Sequence, residues 1–156
     1  MLNYYQVHTE ENMSFFECEF IYMMVMEEAS HRIKIGYSNN PVRRCKELYS
    51  SGVPHPYHIL HCWQVRDMVA TEKLIHKELA AYRPNPSREF FEVFEKFPDS
   101  VDYTLPVVIN GFIIHNELSL YIDNFLTKSG IEYNRWWLND LESYDYTLRQ
   151  NKRKIQ

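Results

Sequence analysis

The pattern of apolar and polar residues predicts four short strands along the first two thirds of the chain. Residues 20–26 (FIYMMVM) form a continuous apolar run, which is typical of a strand covered on both faces. Residues 31–37 (HRIKIGY) alternate in polarity and predict the second arm of a hairpin that turns at residues 27–30. Residues 57–65 (YHILHCWQV) predict a third strand, and residues 90–94 (FFEVF) predict a short closing strand.

Two helices are predicted between these strands. The first covers residues 41–50, because Asn39 or Asn40 can cap it and its first residue is a proline, whose missing N–H costs nothing there. The second covers residues 67–82 and ends before two closely spaced prolines. Its core-facing positions, at spacings of three and four, are Met68, Ile75, Leu79 and Tyr82.

The order β-β-α-β-α-β predicts an α+β fold, a small domain with a central antiparallel sheet flanked by helices. We assign this domain to residues 1–103 and a C-terminal helical extension to residues 104–156. Within the extension, one helix is expected to end at Gly130 and another to begin near Asn134. These helices could clamp a substrate, mediate dimerisation or cover a face of the sheet.

Length and composition indicate a single principal core. The chain has 156 residues, 45% of them hydrophobic, and no window reaches the roughly 18 apolar residues of a membrane span. The N-terminus lacks the cationic start of a signal peptide, so we expect a soluble, intracellular protein. Cys18, Cys45 and Cys62 are odd in number and lack CxxC spacing, so reduced thiols are expected instead of disulfides or a zinc site.

Charge is distributed unevenly along the sequence. The 17 lysines and arginines are outnumbered by 21 aspartates and glutamates, and the net charge of −4 argues against generic binding to nucleic acids. From residue 29 to residue 46, however, there are five cations and no carboxylate. This distribution predicts a basic face on an acidic body. The five cations are Arg32, Lys34, Arg43, Arg44 and Lys46.

Glu72 is an unexpected residue, because it falls within the core-facing stripe of the second helix. A buried carboxylate must pair with a cation, bind a metal or lie at the floor of a cleft, since burying it unpaired is costly. Alternatively, its side chain reaches the rim of the core and pairs with Lys73 or an arginine. His76, one turn later, shares its surroundings.

The first helix and the first strand each contain one further candidate. Arg44 lies only about 40 degrees from Leu48 around the helix and can flank the core, where a guanidinium suits phosphate oxygens, whereas Arg43 faces solvent. Tyr22 lies in the apolar strand, where a tyrosine is most often part of the core. The apolar positions of this helix are Val42, Cys45, Leu48 and Tyr49.

The segments FIYMMV, RIKIGYSNNPVRRCKEL and ATEKLIHKELAAYRPNPSREFFEV together resemble the GIY-YIG nuclease superfamily, and more closely its phage and viral branch, whose second motif reads KIG. The resemblance covers residues 20–95. It implies that Tyr22 lies near the scissile phosphate, that Arg44 steadies the pentavalent phosphate, and that Glu72 holds a single divalent metal, usually magnesium. It also implies an intracellular location in the cytoplasm or nucleus of a host cell.

Two positions depart from the family motifs. Phe20 replaces the glycine of the first motif, and Lys34 replaces the tyrosine of the second, which is a candidate general base in the family. Lys34 could bind a phosphate or act as the base itself, and His76 is a further candidate base. Arg88 and Glu89, in the segment SREFF, are assigned supporting roles.

The sequence therefore predicts a metal-dependent endonuclease that hydrolyses phosphodiester bonds, with DNA as its expected partner. The catalytic candidates are Tyr22, Lys34, Arg44, Glu72 and His76, and Glu72 is also the metal ligand. The candidates for contact with nucleic acid are Arg32, Lys34, Arg43 and Lys46. The alternative is a module that keeps the fold and binds nucleic acid without hydrolysis, or docks a protein partner through Trp136, Trp137 and Tyr144.

Overall fold

The computed structural model of the chain describes residues 18–26, 31–50 and 55–155. Nine helices and strands are assigned among these residues, together with three short 3₁₀ turns at Ala80–Tyr82, Phe94–Lys96 and Pro98–Ser100. In chain order they are β1 Glu19–Met26, β2 Arg32–Ser38, α1 Pro41–Ser50, β3 Tyr57–Val65, α2 Met68–Glu78, β4 Phe90–Glu92, α3 Val107–Lys128, β5 Asn134–Trp136 and α4 Leu138–Ile155.

The strands form one five-stranded antiparallel sheet in the order β4-β2-β1-β3-β5. Its central strand β1 is buried along almost its whole length, as expected for a continuous apolar run. The predicted α+β class and the antiparallel sheet flanked by helices are therefore confirmed. The predicted turn at residues 27–30 lies outside the described residues.

The two faces of the sheet are covered by different helices. On one face, Ile21, Ile33 and Trp63 pack with buried residues of α2 and α3. On the other face, Phe20 packs with residues of α1 and α4, and Tyr22 packs near the half-buried side chains of α1. Because adjacent residues of β1 point to opposite faces, the side chains on both sides of this strand are buried in packed clusters.

Two elements are shorter than predicted. Helix α2 ends at Glu78, and the chain continues as a 3₁₀ turn to Tyr82, because the following Pro84 cannot extend a helix. Strand β4 ends at Glu92, since only three residues of β2 pair with it.

Helix α1 matches its predicted bounds, and Asn40 is confirmed as its cap, since the Asn40 Oδ1 accepts a hydrogen bond from the Arg43 N–H at 3.1 Å. The expectation that Tyr49 faces the core is wrong, because its side chain is 52% exposed. Tyr49 follows Leu48 by one residue, or about 100 degrees, which turns it away from the sheet.

The helix predicted to begin near Asn134 begins instead at Leu138, and Asn134–Trp136 forms the strand β5. This strand pairs with Cys62–Gln64 of β3. Its Trp136 is buried and contacts the rings of Phe20 and Tyr144 edge-on, at centroid distances of 5.0 and 5.7 Å. Pairing with β3 therefore overrides the local helical pattern. Of the predicted aromatic cluster, Trp136 and Tyr144 are core residues, whereas Trp137 is 74% exposed.

A polar network joins α3 and β5 to the sheet. Asp123 of α3 accepts hydrogen bonds from the Trp63 indole at 2.7 Å and from the Arg135 guanidinium at 2.8 and 3.0 Å. Arg135 also donates to the Nδ1 of His61 at 2.8 Å. Burial, together with the nearby Arg135, lowers the pKa of His61 to about 4, so this imidazole stays neutral and accepts that bond.

The three cysteines are free, as predicted, and Cys18 and Cys62 are buried. No helix among the described residues combines the length and the apolarity that a membrane span requires. The helix predicted to end at Gly130 ends at Lys128, and Gly130 adopts the left-handed φ of 71° that favours glycine after a helix.

We expect Leu118→Ala to lower the free energy of unfolding by about 2–5 kcal/mol, because Leu118 of α3 is fully buried against the sheet. Urea unfolding followed by circular dichroism measures this change. The matched control is Leu74→Ala on α2, whose side chain is 43% exposed and should cost about 1 kcal/mol or less. Equal losses in the two variants would contradict this packing of α3.

Candidate active site

The site is built around a close contact between two neighbouring strands. Tyr22 of β1 lies directly opposite Gly36 of β2, and its ring packs over the glycine backbone. A methyl group placed on Gly36 would lie 2.6 Å from the Cζ of Tyr22 and 3.1 Å from the Oε2 of Glu89. Only glycine leaves room here, so the KIG segment is required for the tyrosine to occupy this position.

Helix α1 brings a guanidinium to the Tyr22 hydroxyl. Asn40 caps the helix and is itself held by Asp145 of α4, whose carboxylate accepts a hydrogen bond from the Asn40 amide at 2.9 Å. One turn into the helix, Arg44 donates a hydrogen bond to the Tyr22 hydroxyl. Arg44 also lies 3.6 Å from the Glu47 carboxylate and is partly exposed, so it retains donors that face outward.

The carboxylate of Glu89 lies beside Gly36. The Glu89 backbone carbonyl accepts a hydrogen bond from the Ile35 N–H at 3.2 Å, which fixes the segment before β4 against β2. Its side chain forms an ion pair with the Lys34 ammonium at 2.7 Å. Lys34 is only 8% exposed, and its ammonium lies 5.2 Å from the centre of the Phe90 ring. Lys34 is therefore buried and already paired.

Helix α2 contributes Glu72 and His76 on the stripe that faces the sheet, and both are buried. The Nε2 of His76 lies 2.8 Å from the Ile35 carbonyl, which can only accept, so this nitrogen carries the proton. The Nδ1 lies 3.3 Å from the Oε1 of Glu72. Among the described residues, the Oε2 of Glu72 is the buried side-chain oxygen that has no hydrogen-bond partner.

The electrostatics of the site favour protonated acids. Burial, the nearby Glu89 and, to a smaller extent, Glu72 raise the pKa of Tyr22 to about 12, although Arg44 opposes the shift. Burial and Glu89 raise the pKa of Glu72 to about 7, against the opposing charges of Arg83 and Lys34. Burial lowers the pKa of His76. The site therefore favours the protonated form of Glu72 and the neutral form of His76.

Tyr22 interacts with both Arg44 and Glu72. Its hydroxyl is bonded to Arg44 from one side of the sheet, and its pKa responds to the Glu72 charge from α2. Lys34 and His76 lie in the same surroundings, because both act on or contact Glu72. The five residues predicted as catalytic are thus brought together at the β2 side of the sheet, although their roles stay predictions.

The residues predicted to contact nucleic acid are spread more widely over the structure than the catalytic candidates. Arg32 is exposed at the start of β2 and pairs with Glu92 at 3.2 Å. Arg43 and Lys46 are exposed on α1, where Arg43 contacts Glu47 at 3.4 Å. Lys34 is turned inward. The three exposed cations thus lie on β2 and α1, the elements that carry Lys34 and Arg44, whereas Lys34 itself is part of the buried site.

Glu89 and Arg83 influence the site more than the sequence predicts. Glu89, which was assigned a supporting role, contacts Lys34 and acts on the pKa of both Tyr22 and Glu72. Arg83 acts on the pKa of Glu72 and lies 5.8 Å from the centre of the Phe91 ring. Arg83 is in an irregular segment after α2, where no periodicity indicates which way a side chain points. The sequence signal for Glu89 was its place in SREFF, which is part of one of the segments that carry the family resemblance.

Glu72 and Glu89 are the carboxylates that a magnesium ion would use at this site, and the ion itself stays a prediction. No group of three or more histidine, cysteine or acidic side chains in the described ranges is arranged to hold a metal. Mg²⁺ does not need such a group, because it keeps several waters and binds proteins through one or two carboxylates. The unpartnered Oε2 of Glu72 is an oxygen of this kind, and Glu89 provides a second carboxylate nearby.

Comparison with known proteins gives one finding. Residues 19–103 match the sequence model of a family described as the T5orf172 domain. This segment contains β1 to β4, α1 and α2, and so includes all the site residues described above. Neither the curated proteins nor the solved structures contain a match to the chain.

We expect Glu72→Gln to become more stable relative to the wild type as the pH rises from 5 to 8 in EDTA. The pKa of Glu72 is raised in the folded state, so the folded protein keeps this proton to a higher pH than the unfolded chain does. The stability that the protonated acid contributes is therefore complete below about pH 4.5 and is lost as the pH rises through about 7. The difference should reach at most about 3 kcal/mol, and urea unfolding at several pH values measures it.

Glu142→Gln is the matched control, since Glu142 is an exposed acid on α4. Its stability should follow the wild type across the same pH range. If the Glu72→Gln curve also runs parallel to the wild type, the acid at position 72 is not held in the protonated form by its surroundings.

Proposed function

Because the chain belongs to the T5orf172 domain family, a phage-associated family related to the GIY-YIG/HNH-like nuclease fold, we propose that it is a metal-dependent endonuclease of the GIY-YIG type that hydrolyses phosphodiester bonds in DNA. One observation supports this most directly. The Tyr22 hydroxyl is held by the Arg44 guanidinium within the electrostatic reach of Glu72, a buried acid with an unpartnered oxygen.

Arg44 is proposed to bind the phosphate that is cleaved. Its guanidinium has five donors, of which some are engaged by Tyr22 and Glu47, and its partial exposure leaves the others accessible to a ligand. A planar guanidinium can donate two parallel hydrogen bonds to a phosphate. In this role it stabilises the negative charge that increases in the transition state.

Tyr22 is proposed to position the attacking water through its hydroxyl group. With a pKa of about 12, this hydroxyl keeps its proton at neutral pH in the free protein, so it is a hydrogen-bond donor there and not a phenolate base. Arg44 donates to its oxygen, so the hydroxyl keeps its own proton, and in the proposed role this proton would be directed at a water or at the phosphate that enters the otherwise buried site. Gly36 fixes this geometry by allowing the ring to lie against β2.

Glu72 would hold the magnesium ion, and His76 orients Glu72. Both ring nitrogens of His76 are occupied inside the protein, by the Ile35 carbonyl and by Glu72 itself, so His76 is proposed as a positioning residue and not as the base. When bound, the metal would offset negative charge on the phosphate and the leaving oxygen. Lys34, in its ion pair with Glu89, adds positive charge to the floor of the site.

The second candidate function is binding to DNA without hydrolysis. The observation that favours it is the Lys34–Glu89 ion pair, because it occupies the place where the family motif has a tyrosine. In this case the exposed cations Arg32, Arg43 and Lys46 would hold the phosphate backbone, and the partly exposed Arg44 would bind a phosphate without cleavage.

We expect the wild type to nick supercoiled DNA in magnesium and to be inactive in EDTA. Glu72→Gln and Arg44→Ala should each lower the rate by about 10²–10³-fold, because each removes a charge that acts on the transition state. Gel quantification of nicked plasmid over time measures these rates. The matched controls, Glu142→Gln and Arg66→Ala, alter an acid and an arginine outside the site and should retain wild-type rates.

Retention of full activity by both site variants would disprove the proposed chemistry. Tight binding of DNA by a wild type that does not cleave it, in any of several divalent metals, would identify the binding module instead.

We expect Arg43→Ala with Lys46→Ala to weaken binding to DNA and to reduce the slope of log K against log salt by about 2, since each neutralised phosphate contributes about 0.9. Fluorescence anisotropy in EDTA at several salt concentrations measures the slope without cleavage. The matched control is Lys77→Ala with Lys128→Ala, which removes two exposed cations from α2 and α3. The same reduction in both double variants would show that only the net charge matters.

A further inference from the structure

The first half of α3 exposes an apolar surface that the proposed function does not use. No residue from 106 to 116 carries a formal charge, apart from the titratable His115, which is buried. Phe112 is 68% exposed and Val108 is 58% exposed. We refer to the exposed apolar residues on this side of the helix and just before it as the α3 face: Leu105, Val108, Ile109, Phe112, Ile113 and Leu120.

These side chains do not form part of the core between α3 and the sheet. Helix α3 already packs against the sheet through a separate stripe on its other side. That stripe has the three-to-four spacing of an amphipathic helix, and the opposite side of such a helix is normally polar. Here the opposite side is apolar as well over the first three turns. The buried stripe consists of Ile114, Leu118, Ile122 and Leu126.

The size of the α3 face matches that of a subunit contact. Its exposed fractions correspond to roughly 600 Å², the upper limit of the largest apolar patches that monomeric proteins leave in water. A stable interface buries about 800 Å² on each partner. Tyr103, which is 88% exposed and precedes the helix, supplies much of the difference.

We propose that the α3 face is the interface by which two copies of this chain form a dimer, with the two α3 helices antiparallel about a twofold axis near Phe112. A twofold contact requires a patch that is complementary to itself. The exposed residues satisfy this condition, because an axis between Phe112 and Ile113 brings Leu105 of one copy towards Leu120 of the other, and Ile109 towards Asn116. Apart from the half-buried Glu117, no residue from 105 to 120 carries a formal charge that would select an acidic or a basic partner.

This arrangement is compatible with access to the candidate active site but does not depend on the proposed function. Helix α3 covers the face of the sheet that contains Ile21, whereas Tyr22 and Arg44 lie on the face beside α1. In the dimer the two Arg44 side chains would therefore stay open to solvent, on surfaces that point away from the contact.

Sedimentation velocity of the full chain over a range of concentrations tests the proposal. The wild type should be a dimer, and Phe112→Glu should raise its dissociation constant at least tenfold, because two carboxylates would meet at the axis. Val108→Glu should act in the same direction. The matched control is Trp137→Glu, which places the same charge at an exposed aromatic residue between β5 and α4, outside the α3 face, and should leave the dimer unchanged.

Cysteine cross-linking tests the geometry. Phe112→Cys should form a covalent dimer with itself under mild oxidation, whereas Leu120→Cys should link to Leu105→Cys in a mixture and much less to itself. A wild type that is monomeric at the highest concentration would overturn the proposal and leave the α3 face to a different protein. A dimer that persists in Phe112→Glu and is lost in Trp137→Glu would also overturn it.

Discussion

The packing of the Tyr22 ring against the backbone of Gly36 determines the geometry around it. It requires a glycine on β2, since any side chain there would overlap the ring. It places the hydroxyl where α1 can reach it with Arg44. The segment before β4 then brings Glu89 against the same glycine and Lys34. Helix α1 and the segment before β4 thus meet at one contact between β1 and β2.

The site residues that could be predicted from the sequence are those whose polarity departs from the pattern of their own helix. Glu72 stands out as an acid on an apolar stripe, and Arg44 as a cation beside a core position, so helical geometry alone selects them. Glu89 and Arg83 lie in irregular chain between α2 and β4. Their positions depend on how that chain crosses the sheet, which local spacing does not encode.

The same distinction applies to the fold. Long elements such as α1 and β3 were predicted with their observed bounds, because their periodicity extends over nine or ten residues. Strand β5 has only three residues, too few to show an alternation, and it exists because β3 offers it a partner. The inward position of Lys34 has a similar origin, since its partner Glu89 is more than fifty residues away in the chain.

The position of β5 has a consequence for the independence of the first 103 residues. Without β5, strand β3 would become an edge of the sheet, with a row of unpaired N–H and C=O groups available to another chain. The indole of Trp63 would lose Asp123, its hydrogen-bond acceptor, and Phe20 would lose the aromatic cover of Trp136. A fragment that ends at residue 103 would therefore retain the motifs but tend to associate through its open strand, so assays of catalysis require the whole chain.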